Sequence, residues 1–344
     1  MIAFLSSLLL SSAALAAPAT RQNSADAYGF IYFTGESHEN GEQIYFAVSD
    51  GNTPGVWKTV NDAKPVLTST LGEKGLRDPF IIRHPESGIF YVVATDLRMY
   101  GGSRSWDQAS RTGSLSLAIW ETDDLVNWSD QRLVKVSPPE AGMTWAPEAR
   151  WDADAGVFNV YWASALYDSD DTEHAGASYS RQMISNTTHF KTFTEAEVWL
   201  DYGSSTIDTT TIFDEASGYW HRFTKFDAYG QDKFTGVVQT RALPADFFAN
   251  DWELVFQGVG DAEFGQVEGP LVFKDNVEDN IYHVWVDKIS PQGYEPFSTD
   301  DISSGKWSYD EDYVLPSDPR HGTVFSISAS EAEALSSIGA ATKA

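Results

Sequence analysis

Cysteine is absent from the 344-residue chain, which excludes a disulfide framework, a thiol nucleophile and a thiolate metal site together. The fold must be held by packing alone. Basic side chains are scarce: 23 Lys and Arg stand against 50 Asp and Glu, a formal charge of −27 at pH 7. Such a surface lacks the basic face that displaces counterions from phosphates, so nucleic-acid binding is excluded. Long apolar runs are also missing. Residues 1–17 (MIAFLSSLLLSSAALAA) form an uncharged stretch ending in small residues, with Ala14 and Ala16 in an A-x-A arrangement, and read as a signal peptide. Serines at 6, 7, 11 and 12 interrupt a run already too short to span a bilayer, which tells against a membrane anchor. The expectation is a secreted protein with no membrane segment, residues 18–344 forming a single domain.

What is present points to a large core: 42% of residues are hydrophobic and 14% aromatic, unlike a disordered acidic tail. The segments FIYFTG with EQIYFAVS, DPFIIRHPESGIFYVVATD, APEARWDADAGVFNVYWAS, IDTTTIFDEASGYWHRFTKFD and EGPLVFKDNVEDNIYHVWVD repeat one pattern, two aromatic and β-branched runs. In the last four a polar Gly- or Asn-containing turn separates the runs, at 84–88, 152–156, 214–218 and 275–280, which is a hairpin signature. A second pair of runs follows each, with a polar turn ending on Trp57, Trp128, Trp252 or Trp307, and on Phe193 in the remaining copy. Four strands per unit, repeated five times, predict an all-β five-bladed β-propeller; a β-sandwich would explain many short strands but not their recurrence. A strand run at 321–328 follows the fifth unit and is positioned to close the ring against the first. Ser328 and Glu331 then form a capping-box pair that opens a short C-terminal helix over 329–338.

In a propeller the blades' first strands line the central channel, so residues far apart in sequence meet there. Acids mark those positions: Asp78, Glu148, Asp208 and Glu268, spaced by 70, 60 and 60 residues, about one blade each. Carboxyls crowded on an axis raise one another's pKa, the condition for one to act as a general acid while another stays an ionised base. Singly, each has a plainer reading. Asp78 before Pro79 suits a turn, Glu148 a solvated strand end, Asp208 a side-chain-held turn and Glu268 a loop acid. Their phase with the repeat is what joins them.

These residues resemble glycoside hydrolase family 43, the five-bladed inverting arabinofuranosidases, arabinanases and β-xylosidases, across essentially the whole mature chain. Leu76-Arg77-Asp78-Pro79 matches the family's general-base motif, Trp145-Ala146-Pro147-Glu148 a motif near the sugar site, and Ile207-Asp208 the motif whose Asp orients the acid and tunes its pKa. Glu268-Gly269-Pro270 matches the general acid, and His321 the late His that faces a water or an ion in the channel. Two departures bear on subfamily and substrate: the first blade precedes the base motif, and Arg77 stands where many members have another residue. The retaining fructan hydrolases share Arg-Asp-Pro but need an Asn-Asp-Pro motif in the first blade and a Glu-Cys motif, and this sequence has neither.

The resemblance implies a secreted inverting hydrolase acting on plant cell-wall polysaccharide: Glu268 protonates the leaving oxygen, Asp78 takes a proton from water, and Asp208 orients Glu268. Inversion requires the Asp78 and Glu268 carboxyls to stand roughly 6.5–9.5 Å apart. Substrate contacts are expected from Phe80, Trp145, Glu148, Arg77 and His321, with Trp120 and Arg98 as further candidates, and the loop 98–113 is long enough to rim the pocket. His283 reads as a packed strand histidine. The specific sugar is inherited from the resemblance: an exo-acting α-L-arabinofuranosidase on arabinan or arabinoxylan, with a β-xylosidase as nearest alternative and a non-catalytic glycan-binding propeller as the alternative of another class. No cofactor is required; a calcium ion near His321 would be structural only, as no chelating loop supports it. A monomer is expected, and Asn127 and Asn186 lie in glycosylation sequons.

Overall fold

The computed structural model describes residues 25–227 and 235–339, so the expected signal peptide at 1–17 lies outside the described residues. Among those residues the strands fall into five four-stranded sheets. The first sheet contains β1 (Ala27–Phe33), β2 (Tyr45–Asp50) and β3 (Thr53–Thr59). The second sheet is β4 (Leu76–Arg83), β5 (Phe90–Asp96), β6 (Ser116–Thr122) and β7 (Arg132–Lys135). The third is β8 (Trp145–Asp152), β9 (Val157–Ala165), β10 (Ser180–Thr187) and β11 (Glu197–Leu200). The fourth is β12 (Thr206–Asp214), β13 (Tyr219–Asp227), β14 (Thr235–Ala242) and β15 (Glu253–Gln257). The fifth is β16 (Val267–Lys274), β17 (Tyr282–Ile289), β18 (Gln292–Thr299) and β19 (Ser308–Tyr309).

The last strand, β20 (Arg320–Ile327), pairs antiparallel with β1 and supplies the missing inner strand of the first blade. Strands β20, β4, β8, β12 and β16 pack in succession around one axis, closing a five-bladed propeller. The first blade is thus assembled from both ends of the chain. Its apparent displacement relative to the base motif is a matter of topology: the strand equivalent to β4 comes last.

Strand sequence and burial follow from this geometry. Side chains alternate sides along a strand, and a blade has a neighbour on each side, so middle strands are largely buried on both faces, with enclosed polar residues such as Gln182, Arg222 and Gln239 among the apolar ones. All of β5 is buried; Phe90, Val92 and Ala94 enter the core shared with the first blade, whereas Tyr91 and Val93 enter the core shared with the third. The hairpin turns behave as their sequences predict, with Gly88, Gly156 and Gly218 at φ of 76°, 65° and 76°, a conformation glycine adopts without steric cost. The turn aromatics fill the same interfaces: Trp128 packs against Phe46, Trp252 against Phe247, and Trp307 edge-on to Phe223.

Three short helices decorate the ring among the described residues. Helix α1 (Trp106–Arg111) lies in the β5–β6 connection, held by a capping box between Ser105 and Gln108. Helix α2 (Asp261–Phe264) precedes β16, and α3 (Ala329–Ser337) follows β20 with the expected Ser328–Glu331 capping box. Leu335 of α3 enters the core between the first two blades, and Glu331 also pairs with Arg83. No helix among the described residues is long and apolar enough to cross a membrane.

Candidate active site

On β20 the ladder with β1 slips between Thr323 and Arg320, and each of the other four inner strands also loses register with its neighbour at one point. The ladders skip from Arg77 to Phe80, Trp145 to Glu148, Ile207 to Thr210 and Glu268 to Leu271. Inside each skip one residue takes a left-handed conformation: Asp78 (φ 49°), Ala146 (49°), Asp208 (53°) and Gly269 (51°). Such bulges re-aim side chains out of the pleat, and Asp is among the few non-glycine residues that tolerate this conformation. Gly269 has a second constraint, because a Cβ there would come within 3.0 Å of the His321 ring.

His321 on β20 gathers the acids. Its Nδ1 lies 3.4 Å from Asp78 Oδ1 and 3.7 Å from Asp208 Oδ1. Burial opposes its protonation, but Asp208, Asp78 and Glu148 outweigh it and push the imidazole up to about 9, so it is a cation at neutral pH. Asp78 Oδ2 also accepts the Thr95 hydroxyl at 2.8 Å, and that hydroxyl accepts the Ala146 amide at 2.8 Å. Burial works to raise the Asp78 carboxyl; His321, Arg77 and Thr95 overcome it and hold it below the usual carboxylate range. Asp208 Oδ2 accepts the Gly269 amide at 3.0 Å, tying the third acid to the residue beside the fourth.

Glu268 and Glu148 are the opposite case. Burial, then Asp208 and Asp287, push Glu268 up to about 8 against the pull of Arg320 and His321. Burial likewise raises Glu148 to about 8, although the Tyr161 hydroxyl donates to it at 3.3 Å. The two differ in access: Glu148 is 6% exposed, whereas the Glu268 side chain keeps 29% of its surface open. The channel mouth thus presents an ionised carboxylate, Asp78, and a protonated, accessible carboxyl, Glu268, which together can move one proton out of and one proton into a reacting group.

Over residues 23–333 the sequence matches the glycosyl hydrolase 43-related family, described as a "probable glycosyl hydrolase domain". The chain belongs to this family. An α-L-arabinofuranosidase of Bifidobacterium longum is 31% identical over 282 residues, 74% of this chain and 26% of that protein, so the chain spans about a quarter of this curated relative. The family-43 fold is shared with an α-L-arabinanase of Penicillium chrysogenum solved with arabinobiose, at 14% identity and a TM-score of 0.52 over 87% of this chain and 83% of that one. An exo-β-1,3-galactanase of Phanerochaete chrysosporium aligns at 15% identity and a TM-score of 0.46, over 68% of this chain and 49% of the other.

In this family-43-related propeller the carboxylates expected from the repeat, Asp78, Glu148, Asp208 and Glu268, all stand on inner strands, and His321 joins them. Several expected contacts have other work. Phe80 is the first residue back in register after its bulge; with its cross-strand partner Val93 it faces the core between the second and third blades. Trp120 is 4% exposed in the core between the first two blades, packed with Phe46 and Val92, and is no wall of the site. Arg98 donates to the Lys74 and Glu39 carbonyls. His283 is packed as expected, stacked on Phe273 and 3.2 Å from Asp275.

Arg77 is clamped by Glu36 and Glu42, each at 3.0 Å, with its guanidinium between the rings of Phe33 and Trp106. Trp106 in turn meets Trp145 edge to face at 6.2 Å and remains 46% exposed. The aromatic face next to Arg77 is therefore a Trp106–Trp145 corner, Trp106 carried by α1 and Trp145 by the start of β8. The Ser105–Gln108 capping box was the sequence signal for that helix. Thr95 and Asp287, both enclosed in strands, gave no motif. His321 is committed to two carboxylates, and among the described residues no group of three or more His, Asp or Glu side chains is arranged to hold a metal ion.

Proposed function

We propose that the chain is a secreted, inverting glycoside hydrolase that removes terminal α-L-arabinofuranosyl groups from arabinan or arabinoxylan. The observation that carries the reading is the split between two carboxyls of one ring, with Asp78 held low and Glu268 pushed up to about 8. Glu268 gives its proton to the glycosidic oxygen as the bond from the anomeric carbon to that oxygen breaks. A water attacks the opposite face of that carbon and loses a proton to Asp78, so the proton leaving Glu268 is balanced by the one reaching Asp78. Asp208 contributes through its charge on Glu268 and its bond to the Gly269 amide. The reading needs no metal and treats the propeller as a monomer. The choice of arabinofuranose rests on the Bifidobacterium relative; secretion rests on residues 1–17.

Hydrolysis of 4-nitrophenyl α-L-arabinofuranoside, 4-nitrophenyl β-D-xylopyranoside and arabino-oligosaccharides by the wild type and Glu268→Gln tests this directly. Turnover of the arabinofuranoside that collapses for the oligosaccharides in Glu268→Gln is the expected outcome, with NMR showing the inverted anomer formed first. Preference for the xyloside would reassign the sugar, and retention would reassign the mechanism. Glycan binding with no turnover of any substrate would leave a non-catalytic propeller.

A further inference from the structure

Glu268 and Asp287 stand opposite each other where β16 pairs with β17, and Arg320 of β20 serves both. Its Nη2 donates to Glu268 Oε1 at 2.8 Å and its Nε to Asp287 Oδ2 at 2.5 Å. A carboxyl bonded to an otherwise uncompensated guanidinium is normally driven to its ionised form, which would disable Glu268 as a proton donor. The other donors distinguish the two carboxyls. Asp287 Oδ2 also accepts the His321 amide and Oδ1 the Gly293 amide, each at 3.3 Å, and the side chain is fully enclosed. A proton on Asp287 would confront these N–H groups with another donor. Glu268 faces the open channel on its remaining side.

We propose that Asp287 is a positioning residue for the candidate acid: it takes up the charge of Arg320, so that the guanidinium orients Glu268 through a hydrogen bond without stripping its proton. This rests on the acid role proposed for Glu268. The groups facing Glu268 are Asp208 from β12, Asp287 from β17, and Arg320 and His321 from β20. Asp287 faces Arg320, His321 and the Tyr294 ring of β18, and Glu36 also acts on Arg320. Asp208 and Asp287 oppose the pull of Arg320 and His321 on Glu268. Burial pushes Asp287 up as well as Glu268; Arg320 Nε and the two amides make Asp287 the ionised member.

The test uses the full chain labelled with carbon-13 at glutamate carboxyls, the Glu268 signal being assigned by its absence in Glu268→Gln. In the wild type it should titrate well above the ordinary carboxylate range; titration near 4.5 overturns the proposal. In Asp287→Asn it should titrate about one to three pH units lower, and the alkaline limb of kcat/KM on arabino-oligosaccharides should move with it. A 2,4-dinitrophenyl arabinofuranoside, whose leaving group needs no proton, should be hydrolysed nearly as well by the variant. Equal loss on both substrates with Glu268 titrating unchanged would mean a merely structural Asp287. The double variant Asp287→Asn/Arg320→Gln removes the pair as a unit and should restore Glu268 titration to near its wild-type position; a persistent low value overturns the proposal even if the single variant does not fold. If no glycoside is cleaved but Glu268 titrates as expected, the hydrolase reading fails and the charge arrangement stands.

Discussion

Asp78 on β4 and Glu268 on β16 face one channel and carry the same functional group, yet their surroundings are opposites. Asp78 has a hydroxyl donor in Thr95 and a cation in His321. Glu268 has Asp208 and Asp287 as neighbours and a guanidinium it must share. Both are partly shielded from water, which alone would favour a proton on each. The comparison teaches that in this ring β20 brings a cation to each carboxyl and the other neighbouring strands set its role: β5 gives Asp78 a hydroxyl donor, whereas β12 and β17 give Glu268 acids.

The largest expected effect comes from removing either side. Asp78→Asn and Glu268→Gln should each lower kcat/KM on arabino-oligosaccharides by about 10²–10⁴-fold. A dinitrophenyl substrate should separate them, rescuing Glu268→Gln and not Asp78→Asn; rescue of both would erase the distinction drawn here. Next, His321→Gln should weaken the hold on Asp78 and move the acid limb of the pH profile upward by about one to three units, read from kcat/KM between pH 3 and 7. An unmoved limb would mean that Thr95 and Arg77 suffice.

Stability should register the same asymmetry. Glu148 and Glu268 are raised from 4.5 to about 8, so folding binds their protons more tightly, and the stability they contribute at acid pH is lost as pH rises from 4.5 through about 8. His321 is raised from 6.5 to about 9, so its contribution, full below 6.5, is lost as pH rises through about 9. Asp78 is lowered, and its contribution is lost only as pH falls through its folded value. Urea midpoints should therefore fall from mildly acidic to alkaline pH, and Glu148→Gln should flatten that slope. The smallest effect is expected at the aromatic corner. Trp106→Ala should raise KM for oligosaccharides by about two- to tenfold, in line with about 0.5–1.5 kcal/mol for an aromatic contact, with kcat on aryl glycosides and the urea midpoint unchanged.

The fold was largely legible because propeller physics writes itself into local sequence. Middle strands such as β5 are buried on both sides and mostly apolar, their turns need Asp and Gly at fixed offsets, and the in-phase acids mark the inner strands. Phe80 and Trp120 misled because an aromatic near a motif looks the same whether it faces a sugar or the next blade; only register decides, and the bulge shifts register by a step that the sequence does not announce. Trp106 was visible as part of a long loop but not as a wall, since its direction depends on Arg77 being pinned by Glu36 and Glu42. Asp287 was hidden for a different reason. It is a single acid inside Tyr282–Ile289, an apolar strand, and its partner Arg320 comes 33 residues later, beside it only when the ring is closed.

That closure carries a consequence of its own. Arg320 and His321, which pair with Asp78, Asp208, Glu268 and Asp287, both ride on β20, the strand that completes the first blade, while Arg77 acts on Asp78 from β4. A ring lacking this strand would hold four acids around a gap with neither counterion. Mechanical completion of the propeller and electrical neutralisation of its channel are therefore a single step, and an incompletely closed chain is also an unarmed one.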